Sequence, residues 1–126
     1  MSEIISTKSA PAAVGPYSQG VVSGGLIWVS MQLPIFPATG DLVEGDAAEL
    51  ARRIIRNGVA IIEAGEGFIG DVVKVTIYFT DLGDFAAVNE VFAEFFGENP
   101  PSRAALEVSA LPKGASLAMD FVASVN

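Results

Sequence analysis

Two segments of the chain carry apolar residues at the spacing of an amphipathic helix. In the first, from about Asp46 to Ala64, apolar residues recur every three to four positions. This stripe consists of Leu50, Ala51, Ile54, Ile55, Val59, Ile61 and Ile62. Asp46, followed three residues later by Glu49, is typical of a helix N-terminal cap, and Gly65 is a residue type that commonly ends a helix.

The second helix is predicted from about Asp84 to Phe96. Its apolar stripe consists of Phe85, Val88, Phe92 and Phe95. We expect Gly97 to end it, because Pro100 and Pro101 in the following loop cannot continue a helix.

Five other segments are predicted to be strands. Val21–Ser23 and Leu26–Met31 flank two glycines, as in a hairpin. The remaining three, in which apolar and polar residues alternate, are Val72–Thr80, Arg103–Ser109 and Ser116–Val125. The order β-β-α-β-α-β-β predicts an α+β domain with both helices on one face of the sheet.

The sheet face away from the helices is predicted to be semi-polar. Its residues are Lys74, Thr76, Tyr78, Arg103, Glu107 and Asp120. This set carries too few charges for a fully solvated surface and too many for a core. A subunit interface and a half-exposed sheet would each account for it, and periodicity does not decide between them.

The length of 126 residues suits one domain, which we assign to residues 1–126. No apolar run reaches the roughly 18 residues that a membrane-spanning helix needs. The N-terminus also lacks the basic and apolar regions of a signal peptide. We therefore expect a cytoplasmic protein that does not associate with a membrane.

Composition narrows the possible chemistry further. The chain has no cysteine and no histidine, which excludes thiolate catalysis and removes the most common general base and metal ligand. It also lacks the Asp-x-Asp-x-Asp-Gly spacing of an all-oxygen calcium loop, so we expect no metal. The net charge of −8 argues against a nucleic-acid partner, because basic residues that neutralise phosphates supply most of such affinity.

Arg103 is the first candidate for binding a ligand. It follows a Pro-Pro-Ser segment and opens a strand, whereas the other three arginines lie on the first helix. Its guanidinium can bind a carboxylate through two parallel hydrogen bonds and stays charged at any working pH. The alternative is a structural salt bridge with Glu107 or Asp120, and residue type alone favours that alternative.

Tyr17 is a second candidate, because it follows Gly15-Pro16, whose turn fixes the direction of the ring. Its hydroxyl could donate to a ligand, although an aromatic ring packed at the rim of the core fits equally well. Ser30 and Gln32 flank Met31 near a strand end and could line a pocket, although a serine at a strand end is usually a surface group. Lys113 lies in a turn and is interpreted as solvated, because a catalytic lysine needs burial to lower its pKa.

Six collinear segments extend over nearly the whole chain. They are APAAVGPYSQ (10–19), VSMQLP (29–34), DVVKVT (71–76), DFAAVN (84–89), PPSRAALEV (100–108) and LPKG (111–114). Together they resemble the reactive-intermediate deaminase A family, also called RidA, YjgF-like or L-PSP. Matches of this length and order are far more specific than a single short motif.

The resemblance implies a chorismate-mutase-like α+β fold with a mixed sheet. It also implies a homotrimer whose sheets form a central barrel, with three clefts between subunits. The implied activity is hydrolysis of 2-imino acids, such as 2-iminobutanoate and 2-iminopropanoate, to 2-keto acids and ammonia, without a cofactor or a metal. An imine is already electrophilic, so attack by water needs positioning and proton transfer more than a strong nucleophile.

The resemblance also implies roles for individual residues. Arg103 would bind the substrate carboxylate in a two-pronged contact, helped by the backbone at Ala105. The backbone near Met31 would contact the imine end, and Tyr17 would line the cleft and assist proton transfer. The other family positions in or beside the pocket correspond to Ser30 and Asn89.

The chain departs from the family pattern at three positions. The family has a glutamate in the last strand that orients the attacking water, and this chain has Ala118 there. Asp120 lies on the same strand face two residues later, where the family usually has an acidic residue as well. Met31 replaces a usual glycine, and Ala105 replaces a frequent cysteine. Loss of the glutamate predicts reduced deaminase activity.

Two other functions stay open at this point. A non-catalytic protein would use the same arginine to bind a small 2-keto or carboxylic acid as a sensor or regulator. An endoribonuclease or translation inhibitor is a further alternative, which the net charge of −8 and the lack of histidine disfavour.

Overall fold

The computed structural model describes residues 2–125, which contain six strands and two α-helices. The strands are β1 (Glu3–Ile5), β2 (Gly20–Ser23), β3 (Leu26–Gln32), β4 (Val72–Phe79), β5 (Ser102–Glu107) and β6 (Leu117–Ser124). The helices are α1 (Ala47–Ala64) and α2 (Phe85–Phe96). The predicted α+β class is confirmed. Strand β1 is an addition to the prediction, because three residues are too few to show a period.

The six strands form one mixed sheet in the order β1-β2-β3-β6-β4-β5. Neighbouring strands are antiparallel except β4 and β5, which are parallel and are joined through α2. Gly24 and Gly25 turn the β2–β3 hairpin with φ angles of 63° and 77°. Positive φ at both central positions is what a two-residue type I′ turn requires. The strand order places β5 at one edge of the sheet, with β6 and β4 between it and β3.

Helix α1 begins and ends where the sequence predicts. The Asp46 carboxylate accepts a hydrogen bond of 3.0 Å from the backbone N–H of Glu49, and Gly65 follows the last helical residue. Its buried residues are Ala51, Ile54, Ile55, Asn57, Gly58, Ile61 and Ile62. This face packs on β3 and β6, and it forms the centre of the core.

A glycine sets the distance between α1 and the sheet. A Cβ atom on Gly58 would lie 2.3 Å from Cε1 of Phe121, a buried residue of β6. No side chain fits there without displacing the aromatic ring, so the helix can approach the sheet closely only because residue 58 has none.

Helix α2 is rotated relative to the predicted stripe. Its buried residues are Val88, Val91, Phe92 and Phe96. Phe85 is 36% exposed and Phe95 only partly buried, although both were predicted to face the core. The Phe85 ring still contacts β4, where its centroid lies 6.0 Å from that of the buried Phe79.

Cross-strand register decides which face Arg103 occupies. Arg103 pairs with Val75, and Val75 pairs with Phe121; both of these partners are buried under the helices. Arg103 therefore lies on the helix side of the sheet, as does Glu107, which pairs with the buried Phe79. The prediction that Arg103 and Glu107 belong to the opposite face is wrong. Alternation shows which residues share a face, but β5 has no buried side to show which face that is.

The opposite side of the sheet, which we call the open face, has no helix against it. By register it carries Val21, Trp28, Val122, Lys74, Thr76, Asp120, Ala104, Tyr78, Ala118 and Leu106. Trp28 is 48% exposed and Leu106 is 41% exposed. The open face lacks the predicted Arg103 and Glu107 and includes the exposed Trp28 and Leu106, so it is more apolar than predicted.

A β-bulge alters the alternation of β4. The pairing with β6 shifts between Val72 and Lys74, which leaves Val73 as the extra residue. Val73 is 44% exposed, although strict alternation predicted it on the buried face with Val75.

Neither α-helix in the described part of the chain is long and apolar enough to cross a membrane. Within residues 2–125, no three acidic side chains lie close enough together to hold a metal ion.

Candidate functional site

The Arg103 guanidinium is held in place by three residues of α2. Its Nη1 donates a hydrogen bond of 2.8 Å to Oδ1 of Asn89. Its Cζ lies 5.3 Å from the ring centroid of Phe85 and 5.0 Å from that of Phe92. Cation–π contacts at such distances favour the charged group without occupying its hydrogen-bond donors. The remaining N–H groups of the fork are therefore available to a carboxylate.

The positions of these three residues follow from helix geometry. Phe85, Asn89 and Phe92 are four and three residues apart, so they share one side of α2. Strand β5 runs parallel to β4 directly after this helix, which places Arg103 beside that side. The edge position of β5 leaves the arginine exposed on its outer side.

The structural salt bridge that residue type favoured for Arg103 is absent from residues 2–125. The Glu107 carboxylate instead accepts a hydrogen bond of 3.0 Å from the backbone N–H of Leu82. Asp120 lies on the open face and accepts from the hydroxyl of Tyr78 at 2.6 Å. The ion pair that the described residues do form joins Arg52 and Glu94 at 2.8 Å, between α1 and α2.

Arg103 and Asn89 line a surface cleft of about 420 Å³, which we call the arginine cleft. Its other lining residues are Phe92, Ala93, Phe96, Gly97, Pro100 and Pro101. Ala105 lies two residues further along β5, on the same side of the sheet as Arg103, and is exposed.

Three other predicted site residues lie elsewhere in the chain. Tyr17, Ser30 and Met31 line a larger cavity of about 720 Å³, which we call the wide cavity. It is bounded by the 11–19 loop, the end of β3, the 33–40 turn and the short 3₁₀ turn Pro112–Gly114. None of its lining residues belongs to the arginine cleft. Within one chain, the predicted site residues therefore fall into two separate groups.

A β-bulge at the end of β3 presents Ser30 and Met31 to the wide cavity. Val29 pairs with Phe121 and Gln32 pairs with Met119, so three steps on β3 match two on β6. The Ser30 hydroxyl donates a hydrogen bond of 2.6 Å to the carbonyl of Ser18. The hydroxyl is thus engaged in joining β3 to the 11–19 loop.

The three buried polar side chains of the described chain, Gln19, Gln32 and Asn57, all hold backbone around the wide cavity. Gln19 accepts from the N–H of Thr7 at 2.7 Å and donates to the carbonyl of Pro11 at 2.8 Å. Gln32 donates to the carbonyl of Ser30 at 3.1 Å.

Asn57, a residue of α1, holds the 33–35 segment that forms another wall of the wide cavity. Its Nδ2 donates to the carbonyls of Ile35 at 2.9 Å and Leu33 at 3.3 Å, and its Oδ1 accepts from Nε of Arg53 at 3.1 Å. Burial makes such bonds costly to break, because the freed carbonyls would stay out of water. The cavity walls are therefore tied to the core of the fold.

The position where the family has a glutamate is fully buried in this chain. Ala118 is 0% exposed and pairs with Tyr78 on the open face. The hydrogen bond from Tyr78 to Asp120, helped by partial burial, raises the pKa of Tyr78 to about 12. Asp120 and Arg103 lie on opposite sides of the sheet, so one chain does not bring them together.

Sequence reasoning missed the aromatic partners of Arg103 and two of the buried amides, Gln19 and Asn57. Phe85 and Phe92 looked like ordinary core residues, because an apolar stripe does not show which rings face a cation. A signal did exist for Asn57, which follows Ile54 by three residues and so interrupts the apolar stripe of α1. Gln32 was named as a candidate pocket residue and lines the wide cavity. No local pattern indicates Gln19.

The fold and the arginine-centred cleft define a class of known proteins. The family described as "Endoribonuclease L-PSP" matches residues 7–125, and the chain belongs to that family. A RutC family protein of Pyrococcus abyssi is 49% identical over 121 residues, which cover 96% of this chain and 95% of that protein. The 2-iminobutanoate/2-iminopropanoate deaminase of Escherichia coli is 44% identical over 126 residues and 98% of each chain.

Solved structures agree with this assignment of fold. The crystal structure of RidA from an Antarctic Psychrobacter has a TM-score of 0.93 and 43% identity, covering 98% of this chain and 99% of that one. The structure of Escherichia coli TdcF with bound serine also has a TM-score of 0.93, with 39% identity and the same coverage of both chains.

Proposed function

We propose that this protein hydrolyses 2-imino acids, such as 2-iminobutanoate and 2-iminopropanoate, to 2-keto acids and ammonia. The observation that carries the proposal is the state of Arg103. The guanidinium is positioned by a neutral amide and two aromatic rings, and no carboxylate of residues 2–125 pairs with it. A charged fork held in this way at a surface cleft is suited to an anionic ligand. The similar Escherichia coli protein named as a deaminase supplies the substrate class.

The proposed reaction adds water to the imine carbon. The water oxygen forms a bond to C2 and loses a proton, while the imine nitrogen gains one, which gives a carbinolamine. The C–N bond then breaks, ammonia leaves with a further proton, and the C2 hydroxyl becomes the keto group. Each step moves protons between nearby heteroatoms, which a tyrosine hydroxyl, backbone groups and bound water can accomplish.

We propose that the complete site is assembled from two copies of the chain. Arg103 and Asn89 lie in the arginine cleft, whereas Tyr17, Ser30 and Met31 lie in the wide cavity, which shares no residue with it. One substrate can contact both groups if a neighbouring copy supplies the second. The exposed apolar residues of the open face, such as Trp28, provide a surface for such an assembly. A homotrimer closed around this face is the arrangement we propose.

In this assembly Arg103 would bind the carboxylate, supported by the backbone of Ala105. The backbone of Met31 and the Tyr17 hydroxyl would lie at the imine end. Ala118 offers no carboxylate to orient the water. We therefore expect slower turnover than in a protein with glutamate there, because general acid–base catalysis contributes about 10²–10⁴-fold.

The test generates 2-imino acids with an amino-acid oxidase and traps them with semicarbazide, while this protein competes for them. We expect the wild type to suppress the adduct and Arg103→Ala to lose the effect. Arg56→Ala, which removes an exposed arginine of α1, is the matched control and should behave like the wild type. Equal suppression by all three proteins would refute the role of Arg103.

The second candidate is a non-catalytic protein that binds small 2-keto acids. The fully buried Ala118, in place of a water-orienting carboxylate, is the observation that favours it. The two candidates separate if calorimetry shows that Arg103-dependent binding of 2-oxobutanoate is present while the trapping assay shows no activity for any side chain.

A further inference from the structure

The wide cavity is larger than the smallest imino acids need. Its volume is about 720 Å³, within the roughly 300–1,000 Å³ of pockets that enclose whole drug-sized ligands. The atoms common to all 2-imino acids would occupy only the end near Tyr17 and Ser30. The rest of the cavity is available to the one part of the substrate that varies, which is its side chain.

The lining of this space is mainly apolar. The residues that carry this character are Val14, Met31, Leu33, Ile35, Pro37 and Pro112. The charged group among the lining residues is Lys113, whose ammonium donates a hydrogen bond of 3.3 Å to the carbonyl of Gly40. A side chain in this space would therefore exchange water for hydrocarbon, which is favourable only if the side chain is itself apolar.

The cavity is also formed before any ligand arrives. The buried Gln19 holds the 7–11 segment and the buried Asn57 holds residues 33–35, each through hydrogen bonds to the backbone. A ligand need not order these walls, so little of the binding free energy is lost to organising them.

We infer that the wide cavity is a side-chain subsite that selects 2-imino acids with extended apolar side chains over the smallest ones. This inference rests on the proposed function for the reaction, and it deepens that function by naming the substrate class. Met31 is the specificity-determining residue. It stands in the β3 bulge, lines the cavity beside the proposed imine end, and is 36% exposed. Its flexible thioether chain can follow unbranched substrates of different lengths.

The experiment measures binding of the product analogues, so it does not depend on turnover. Calorimetry compares 2-oxopropanoate, 2-oxobutanoate, 2-oxohexanoate and 2-oxopentanedioate on the full-length wild-type protein. Each buried methylene should tighten binding about fourfold. 2-Oxohexanoate has three more methylenes than 2-oxopropanoate, so we expect it to bind about 60-fold more tightly if all three are buried. The dicarboxylate 2-oxopentanedioate should bind no better than 2-oxobutanoate.

Single substitutions test whether the wide cavity causes the dependence of affinity on chain length. Met31→Ser should flatten the dependence on chain length, which is measured as the ratio of the 2-oxohexanoate affinity to the 2-oxopropanoate affinity. Phe68→Ser is the matched control, because Phe68 is 61% exposed and lines neither cavity, and it should keep the wild-type dependence. If Met31→Ser unfolds the chain, Ile35→Ala at another wall of the same cavity replaces it.

The outcomes distinguish this inference from the proposed function. Chain-length selectivity in binding without any imine hydrolysis would support the subsite and reject the deaminase. Hydrolysis with equal affinity for short and long acids would support the deaminase and overturn the subsite. Tightest binding of 2-oxopentanedioate would also overturn it, because Lys113 would then be recognising a second carboxylate.

Discussion

Oδ1 of Asn89 accepts a hydrogen bond of 2.8 Å from Nη1 of Arg103. The amide thus fixes one corner of the guanidinium while remaining uncharged. An uncharged partner leaves the charge of the guanidinium available to an anionic ligand, because only a carboxylate, such as an aspartate in the same place, would form an ion pair with it.

The first prediction replaces that amide by a carboxylate. Asn89→Asp should form an ion pair with Arg103 and compete with the substrate carboxylate, weakening 2-oxobutanoate binding about tenfold or more. Asn89→Ala, which only removes the hydrogen bond, should weaken it about two- to tenfold. Calorimetry measures both, and Asn99→Asp in an exposed loop adds the same charge as a control. If Asn89→Asp and Asn99→Asp weaken binding equally, the effect is one of net charge and not of this contact.

The second prediction concerns the missing carboxylate in β6. Ala118→Glu should raise kcat for imine hydrolysis by about tenfold or more, because it supplies a group that can orient water and transfer a proton. Ala118→Gln has nearly the same shape but cannot act as a base, so it should not raise kcat. Because Ala118 is fully buried, both variants are also expected to unfold at lower temperature than the wild type. Similar kcat values for the two would show that the carboxylate is not the limiting group.

The third prediction uses the pKa of Tyr78. Its hydrogen bond to Asp120 raises the pKa from 10.0 to about 12, so the folded chain keeps this proton to higher pH than the unfolded chain does. The resulting stabilisation is complete below about pH 10 and is lost as the pH rises towards 12. Tyr78→Phe should therefore flatten the fall in melting temperature over that window.

Tyrosinate absorbance gives an independent check on the same group. The chain has two tyrosines, and Tyr78→Phe removes one of them from the titration. The component that disappears should be the one near pH 12. Loss of a component near pH 10 instead would contradict the assignment.

The fourth prediction tests the buried amide of α1. Asn57 is fully buried, and Asn57→Leu would leave the partly buried carbonyls of Leu33 and Ile35 without their donor. We expect a loss of about 2–4 kcal/mol in the free energy of unfolding, measured with urea. Asn99→Leu, at an exposed position, should change it by less than about 0.5 kcal/mol. A small effect of Asn57→Leu would mean that the 33–35 segment is held by other contacts.

The fifth prediction concerns the contact between α1 and β6. Gly58→Ala should destabilise the fold by about 1–3 kcal/mol through its clash with Phe121, although alanine is the better helix former. Combining it with Phe121→Leu should recover part of that loss, which a double-mutant cycle measures. Gly70→Ala, with no atom within 4 Å of its added Cβ, is the control. Strict additivity of the two substitutions would show that the ring is not what the new methyl meets.

Much of the fold was predictable because its signals are local. Asp46 and Gly65 mark the ends of α1, and the Gly24-Gly25 pair marks the hairpin. The orientation of β5 was not predictable. Nearly all of its residues are exposed, so alternation along the strand carries no information about which set faces the helices.

The candidate site was predictable in part, and for a different reason. Arg103 was a candidate from its residue type and position, Asn89 was named through a family resemblance, and the structure places them in contact. Tyr17 and Ser30 were candidates as well, but the sequence did not show that they share the wide cavity, because loops and short turns from distant parts of the chain build it. Its buried amides act on backbone carbonyls, which every residue type possesses, so no residue pattern reveals their partners.

The way these walls are anchored has an evolutionary consequence. Gln19, Gln32 and Asn57 donate hydrogen bonds to main-chain carbonyls, whereas the apolar side chains that line the wide cavity, such as Met31 and Ile35, make none of these bonds. Residues such as Met31 and Ile35 can therefore be exchanged during descent without moving the backbone that displays them. Substitutions at these positions can therefore change which ligand the cavity binds, while the backbone that forms its walls stays in place.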